Sequence, residues 1–116
     1  MGNPPFRPLN EIERELERSR LDIAVAIAKD FARDNGRPIP LALALRFLPL
    51  VATQSPGEFD AWATRWLVRW LGETGAPTAE GAAEVASMLA ELPREPGVID
   101  ELAAFQRALA TGSARL

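Results

Sequence analysis

The 116-residue chain contains no cysteine, no histidine and no tyrosine, and Lys29 is its single lysine. Without cysteine the chain forms no disulfide and offers no thiolate to a metal. Without histidine it lacks the commonest general base and the commonest metal ligand. Its four serines therefore lack their usual partner base, and no glycine-rich phosphate loop follows a strand pattern. We expect no enzyme activity, no metal and no cofactor, with carboxylate-only catalysis as the remaining enzymatic alternative.

Long apolar runs and an excess of positive charge are also missing. No stretch approaches the roughly 18 consecutive apolar residues of a membrane span, and residues 1–6 lack the features of a signal peptide. These features favour a cytoplasmic protein that does not bind membranes. The net charge of −3 provides no general footprint for nucleic acid, although a local basic patch is compatible with it. The composition, 47% hydrophobic and 25% charged, is typical of one folded domain.

Prolines and glycines divide the chain into about five segments, each with a helical spacing of apolar residues. This pattern predicts an all-α fold, a compact bundle of about five helices. The central helices are expected roughly at 41–54 and 56–72. The bundle is predicted to span residues 9–112, after an extended proline-rich arm at 1–8 and before a tail at 113–116.

The first helix is predicted to run from Asn10, which with Glu13 resembles a capping box, to the C-terminal signal Asn35-Gly36. One apolar stripe follows its whole length, and a second occupies only its later half. The stripes are Ile12, Leu16, Ile23 and Ile27, and then Leu21, Val25 and Ala28. We therefore expect the later half to be covered on two sides. The earlier half has one stripe and dense charge, so the sequence leaves open whether it packs on the body or projects, and Ile12 and Leu16 are candidates for pairing with a second copy.

The remaining helices are predicted from apolar spacing and from the residues at their ends. The segment 41–54 is apolar around most of its circumference and is expected to kink at Pro49, although its alternating leucines leave a strand open. Ser55, Pro56 and Glu58 together indicate the start of the third helix. The fourth helix is expected at 78–92 and the fifth at 96–110, the fourth with a solvated acidic stripe. The residues expected to face inward are Val85, Met88, Leu89 and Leu92 in the fourth helix and Val98, Leu102, Phe105 and Leu109 in the fifth.

Three tryptophans lie four residues apart in the third helix, at Trp62, Trp66 and Trp70. Trp66 and Trp70 fall on its apolar face and are predicted to be core residues. Trp62 lies at the edge of that face, beside Arg65 and Arg69. It is either a rim tryptophan covered by an arginine side chain or part of an exposed patch of the kind enriched at protein interfaces.

The sequence thus favours a non-catalytic helical module that binds another protein or a second copy of itself. The candidate interaction residues are Trp62, Arg65 and Arg69, together with Ile12 and Leu16. The alternative is a small helical subunit that associates with nucleic acid through the local arginine and tryptophan patch. Nucleic acid is the less favoured partner, because Glu58 and Glu73 flank the two arginines.

Overall fold

The described part of the chain, in a computed structural model, comprises residues 6–75 and 78–110, with the side chains of 7–75 and 78–106. Every regular element in this part is helical, which confirms the predicted all-α bundle. The α-helices are α1 (Phe6–Glu17), α2 (Leu21–Asn35), α3 (Leu41–Leu45), α4 (Leu48–Gln54), α5 (Phe59–Thr74), α6 (Ala79–Glu91) and α7 (Val98–Ala110). The tail at 113–116 lies outside the described residues.

The first predicted helix is in fact two helices, because the chain reverses at residues 18–20. Ser19 adopts a left-handed conformation with φ of 59°, and the Arg20 N–H donates to the Glu15 carbonyl at 2.9 Å. The reversal packs α1 against α2. The earlier half therefore does not project, since Ile12 is completely buried and Leu16 is 7% exposed.

The start of α1 also differs from its prediction. The helix begins at Phe6 and not at Asn10, so residues 6–8 of the expected arm are helical. The remainder of that arm, residues 1–5, lies outside the described residues. The C-terminus of α2 lies where the sequence predicted it. There Gly36 has φ of 69° and its N–H donates to the Ala32 carbonyl.

The segment 41–54 is helical, as predicted, but it breaks at Arg46 and Phe47 instead of kinking at Pro49. Pro49 lies in the first turn of α4, where its missing N–H leaves no helical hydrogen bond unmade. Arg46 reaches back to α1 and pairs with Glu13 at 3.3 Å and Glu17 at 3.9 Å. The break thus turns a basic side chain towards α1.

The starts of α5 and α6 differ in whether a side chain caps the helix. A short 3-10 turn over residues 56–58 precedes α5, and Ser55 makes no side-chain cap there. By contrast, Thr78 caps α6 by accepting a hydrogen bond from the Gly81 N–H at 3.0 Å. The sequence located both boundaries to within a few residues, although Ser55, which helped to indicate the first of them, makes no capping hydrogen bond.

The core lies between α5 and the helices packed around it. Trp70 is completely buried and its ring centroid lies 6.3 Å from that of Phe105 on α7. Of the residues predicted to face inward from the fourth and fifth helices, Val85, Leu89, Leu92, Val98 and Leu102 are buried, whereas Met88 and Phe105 are half-buried. The predicted inward position of Leu109 lies outside the described side chains. None of the described helices is both long enough and apolar enough to cross a lipid bilayer.

Candidate functional site

The tryptophans of α5 occupy two different environments. Trp66 is 4% exposed, and its indole Nε1 donates to the Leu41 carbonyl at 3.0 Å. The Trp66 and Trp70 rings stack with centroids 6.5 Å apart and an interplanar angle of 10°. Both residues are therefore core residues, as predicted, and Trp66 ties α5 to α3.

Trp62 lies at the boundary between the core and the surface. Its half-buried ring stacks on Phe47 with centroids 5.8 Å apart and an interplanar angle of 19°. The Arg65 guanidinium carbon lies 5.5 Å from the centroid of the same ring, within the range of a cation–π interaction. Trp62 is thus a rim tryptophan with an arginine over it, one of the two arrangements expected from sequence.

Beside Trp62 the molecule has a groove of about 870 Å³, a volume typical of ligand-sized clefts. One wall is formed by α2 and the other by α5, and the floor is formed by half-buried Ala44 of α3 with buried Phe47 and Leu48. Pro38 and Ile39 line one end. The main lining residues are Leu21, Asp22, Val25, Ala28, Lys29 and Ala32 from α2, Glu58, Trp62, Arg65, Trp66 and Arg69 from the α5 side, and Ala44, Phe47 and Leu48 below.

The second apolar stripe of α2 is less covered than the sequence predicted. The second apolar stripe of α2 was expected to be covered by the fold. Val25 and Ala28 instead line the open groove and are only half-buried, whereas Leu21 is buried at its margin. The fold therefore leaves part of this apolar stripe accessible.

The two ends of the groove can be located from hydrogen bonds. The Gln54 side-chain amide donates to the Ser19 carbonyl at 2.8 Å, which brings the start of α2 next to the turn that leads into α5. Further along, the bond from Trp66 to Leu41 sets the middle of α5 beside the start of α3, six residues after α2 ends. The walls α2 and α5 therefore run from the same end of the groove to the other.

This arrangement separates the charges along the groove. Asp22 and Glu58 lie at the end where α2 and α5 begin, and Lys29 and Arg65 lie about two helical turns further along their respective helices. Within residues 7–75 and 78–106, none of these four side chains has an ion-pair partner. Arg69, in contrast, forms an ion pair with Glu73 on its own helix.

The structure thus brings together three of the five candidate residues predicted from sequence. Trp62, Arg65 and Arg69 line one wall of the groove. Ile12 and Leu16 are buried against the rest of the fold and do not line the groove. They offer no exposed stripe for a second copy, so we remove them from the candidate surface.

Sequence reasoning missed the opposite wall of the groove. Val25, Ala28 and Lys29 are spaced as residues of one helical face, and this signal was present in the second stripe of α2. Its proximity to Trp62 depends on how the chain turns between α2 and α5, which the helical pattern did not reveal. Among the described residues, no group of three or more acidic side chains comes together to hold a metal ion.

The fold and this surface define the class of protein as an all-α helical bundle with an open, mainly apolar groove. Comparison of the chain with protein-family models, with curated proteins and with solved structures finds no match.

Proposed function

We propose that the protein is a non-catalytic interaction module that binds a segment of another protein in the groove between α2 and α5. The accessible apolar strip of α2, which faces an arginine-covered tryptophan across a continuous groove, is the observation that carries the proposal. Aromatic and arginine side chains at an apolar cleft are the composition enriched at protein-binding hot spots. The preformed floor spares a partner the cost of opening the core.

The proposal is tested by filling the groove without altering its charges. Ala28→Phe extends a ring from the α2 wall into the groove, and Ala26→Phe places the same ring on an exposed position of α2 that does not line it. We expect capture of partner proteins, quantified by mass spectrometry, to persist with Ala26→Phe and to fall at least about tenfold with Ala28→Phe. Circular dichroism of both variants checks that the helices remain intact.

Equal capture by the wild type and by Ala28→Phe would contradict a binding role for the groove. The nucleic-acid alternative makes a different prediction, namely salt-dependent binding that is lost on Arg65→Ala and Arg69→Ala. The groove offers little positive charge to nucleic acid, because Arg69 is paired with Glu73 and both Asp22 and Glu58 line the same groove. Absence of binding to DNA or RNA at low salt would retire it.

A further inference from the structure

The length of the groove matches a short α-helix of a partner protein. From Glu58 to Arg69 the α5 wall covers 11 helical steps, which corresponds to about 16 Å at 1.5 Å per residue. The opposite wall from Asp22 to Ala32 covers a similar length. An α-helix of about three turns matches this length, and helices that lie in apolar grooves present residues spaced i, i+3, i+4 and i+7.

The ends of the groove differ in charge. The end near the starts of α2 and α5 carries Asp22 and Glu58, and the remainder carries Lys29 and Arg65. In the part of the chain that the structure describes, all four lack an ion-pair partner. A partner with basic side chains near Asp22 and Glu58 and acidic side chains near Lys29 and Arg65 gains electrostatic attraction at both places. A partner with the reverse order meets like charges at both.

We propose that the occupant is a three-turn amphipathic helix of a partner protein, with acidic side chains at its Lys29 and Arg65 end and basic side chains at its Asp22 and Glu58 end. This inference rests on the proposed function and specifies the partner that the groove accepts. Apolar contact with Val25, Ala28 and the Phe47–Trp62 pair supplies affinity. The separated charges fix the orientation and exclude partners whose charges run the other way.

The test is a selection from a display library of 14-residue amphipathic helices. Their apolar face is fixed as leucine, and two flanking positions at each end are varied among Lys, Glu and Gln. Binders are selected on the wild type and screened for loss of binding to Ala28→Phe, with Ala26→Phe as the matched control. We expect the recovered helices to carry Glu at one end and Lys at the other.

Charge reversal on the protein then locates the ends. For a recovered helix, Lys29→Glu combined with Arg65→Glu is expected to weaken binding roughly fivefold and to favour the helix with Lys at both ends. Because Arg65 also contacts the Trp62 ring, Lys29→Glu alone is measured as a second variant at an exposed position. A helix with its end charges exchanged is expected to bind the wild type more weakly than the recovered one.

The outcomes separate the inference from the proposed function. Groove-dependent helices without charge order would overturn the inference while retaining a protein-binding groove. If Ala28→Phe weakens binding of captured proteins but of no library helix, the partner segment is not a helix. If Ala28→Phe weakens binding of neither, the proposed function also fails. Two further results would assign another occupant and overturn the inference: Ala28-dependent binding of dodecanoate without helix binding, or a dimer in sedimentation that Ala28→Phe converts to a monomer.

Discussion

Trp66 and Trp70 occupy successive turns of α5 and differ in what their indole N–H groups contact. Trp66 donates to the Leu41 carbonyl. The Trp70 Nε1 is buried and has no hydrogen-bond partner among the described residues. A buried donor without a partner has lost its hydration without compensation, so the two rings contribute differently to stability even though both are buried.

We therefore expect Trp66→Phe to destabilise the protein more than Trp70→Phe. Trp66→Phe loses a hydrogen bond and some packing, about 1 kcal/mol each, whereas Trp70→Phe loses packing but also removes an unsatisfied donor. The expected decreases in the free energy of unfolding are about 2 kcal/mol for Trp66→Phe and less than about 1 kcal/mol for Trp70→Phe. Urea denaturation followed by circular dichroism measures both, and equal losses would show that the indole N–H groups do not matter.

At the scale of elements, the reversal between α1 and α2 depends on one residue in an unfavourable conformation. Ser19 has φ of 59°, a region that glycine adopts without steric cost and other residues adopt at about 1–2 kcal/mol. The Ser19 N–H donates to the Leu16 carbonyl at 3.0 Å, so the turn is hydrogen-bonded as well. The turn is therefore stable in spite of its residue and not because of it.

Ser19→Gly is expected to raise the free energy of unfolding by about 0.5–1 kcal/mol, because it removes this conformational cost. Ser87→Gly is the matched control, since Ser87 is an exposed residue inside α6. There the same substitution is expected to lower the free energy of unfolding by about 0.5–1 kcal/mol. Thermal denaturation of the two variants should shift in opposite directions, and a loss with Ser19→Gly would contradict the proposed strain.

The same turn shows why the sequence predicted helices better than their junctions. Glycine and proline signals correctly indicated the end of α2 at Gly36 and the start of α6 at Thr78, because these boundaries depend on local chemistry. The break at Ser19 has no glycine or proline, and apolar periodicity continues through it. Packing of α1 on α2 outweighs the local preference for a continuous helix, and a periodic pattern does not report such tertiary contacts.

At the scale of the whole molecule, the groove exists because α2 and α5 are held apart by what lies below them. The Phe47–Trp62 stack and Leu48 occupy the space between the two walls. The sequence indicated one wall, since Trp62 and the two arginines lie close together on one helix. The other wall comes from residues more than 30 positions away, and its placement depends on the turns of the chain between α2 and α5.

Ile12 packs α1 into the core, so we expect α1 to unfold together with the rest of the molecule. Ile12→Ala removes a fully buried side chain and is expected to lower the free energy of unfolding by about 3 kcal/mol. Ile23→Ala is the matched control, because Ile23 is 41% exposed, and it is expected to cost less than about 1 kcal/mol.

Two probes then report whether α1 unfolds together with the rest of the molecule. All three tryptophans lie in α5, so tryptophan fluorescence follows the centre of the fold, whereas far-ultraviolet circular dichroism follows every helix. If α1 belongs to the cooperative unit, Ile12→Ala lowers the urea midpoints of both signals equally. Early loss of helical signal with an unchanged fluorescence midpoint would instead show that α1 detaches first. Helix α1 would then be a separable part, and the α2 wall of the groove would not depend on α1 for its support.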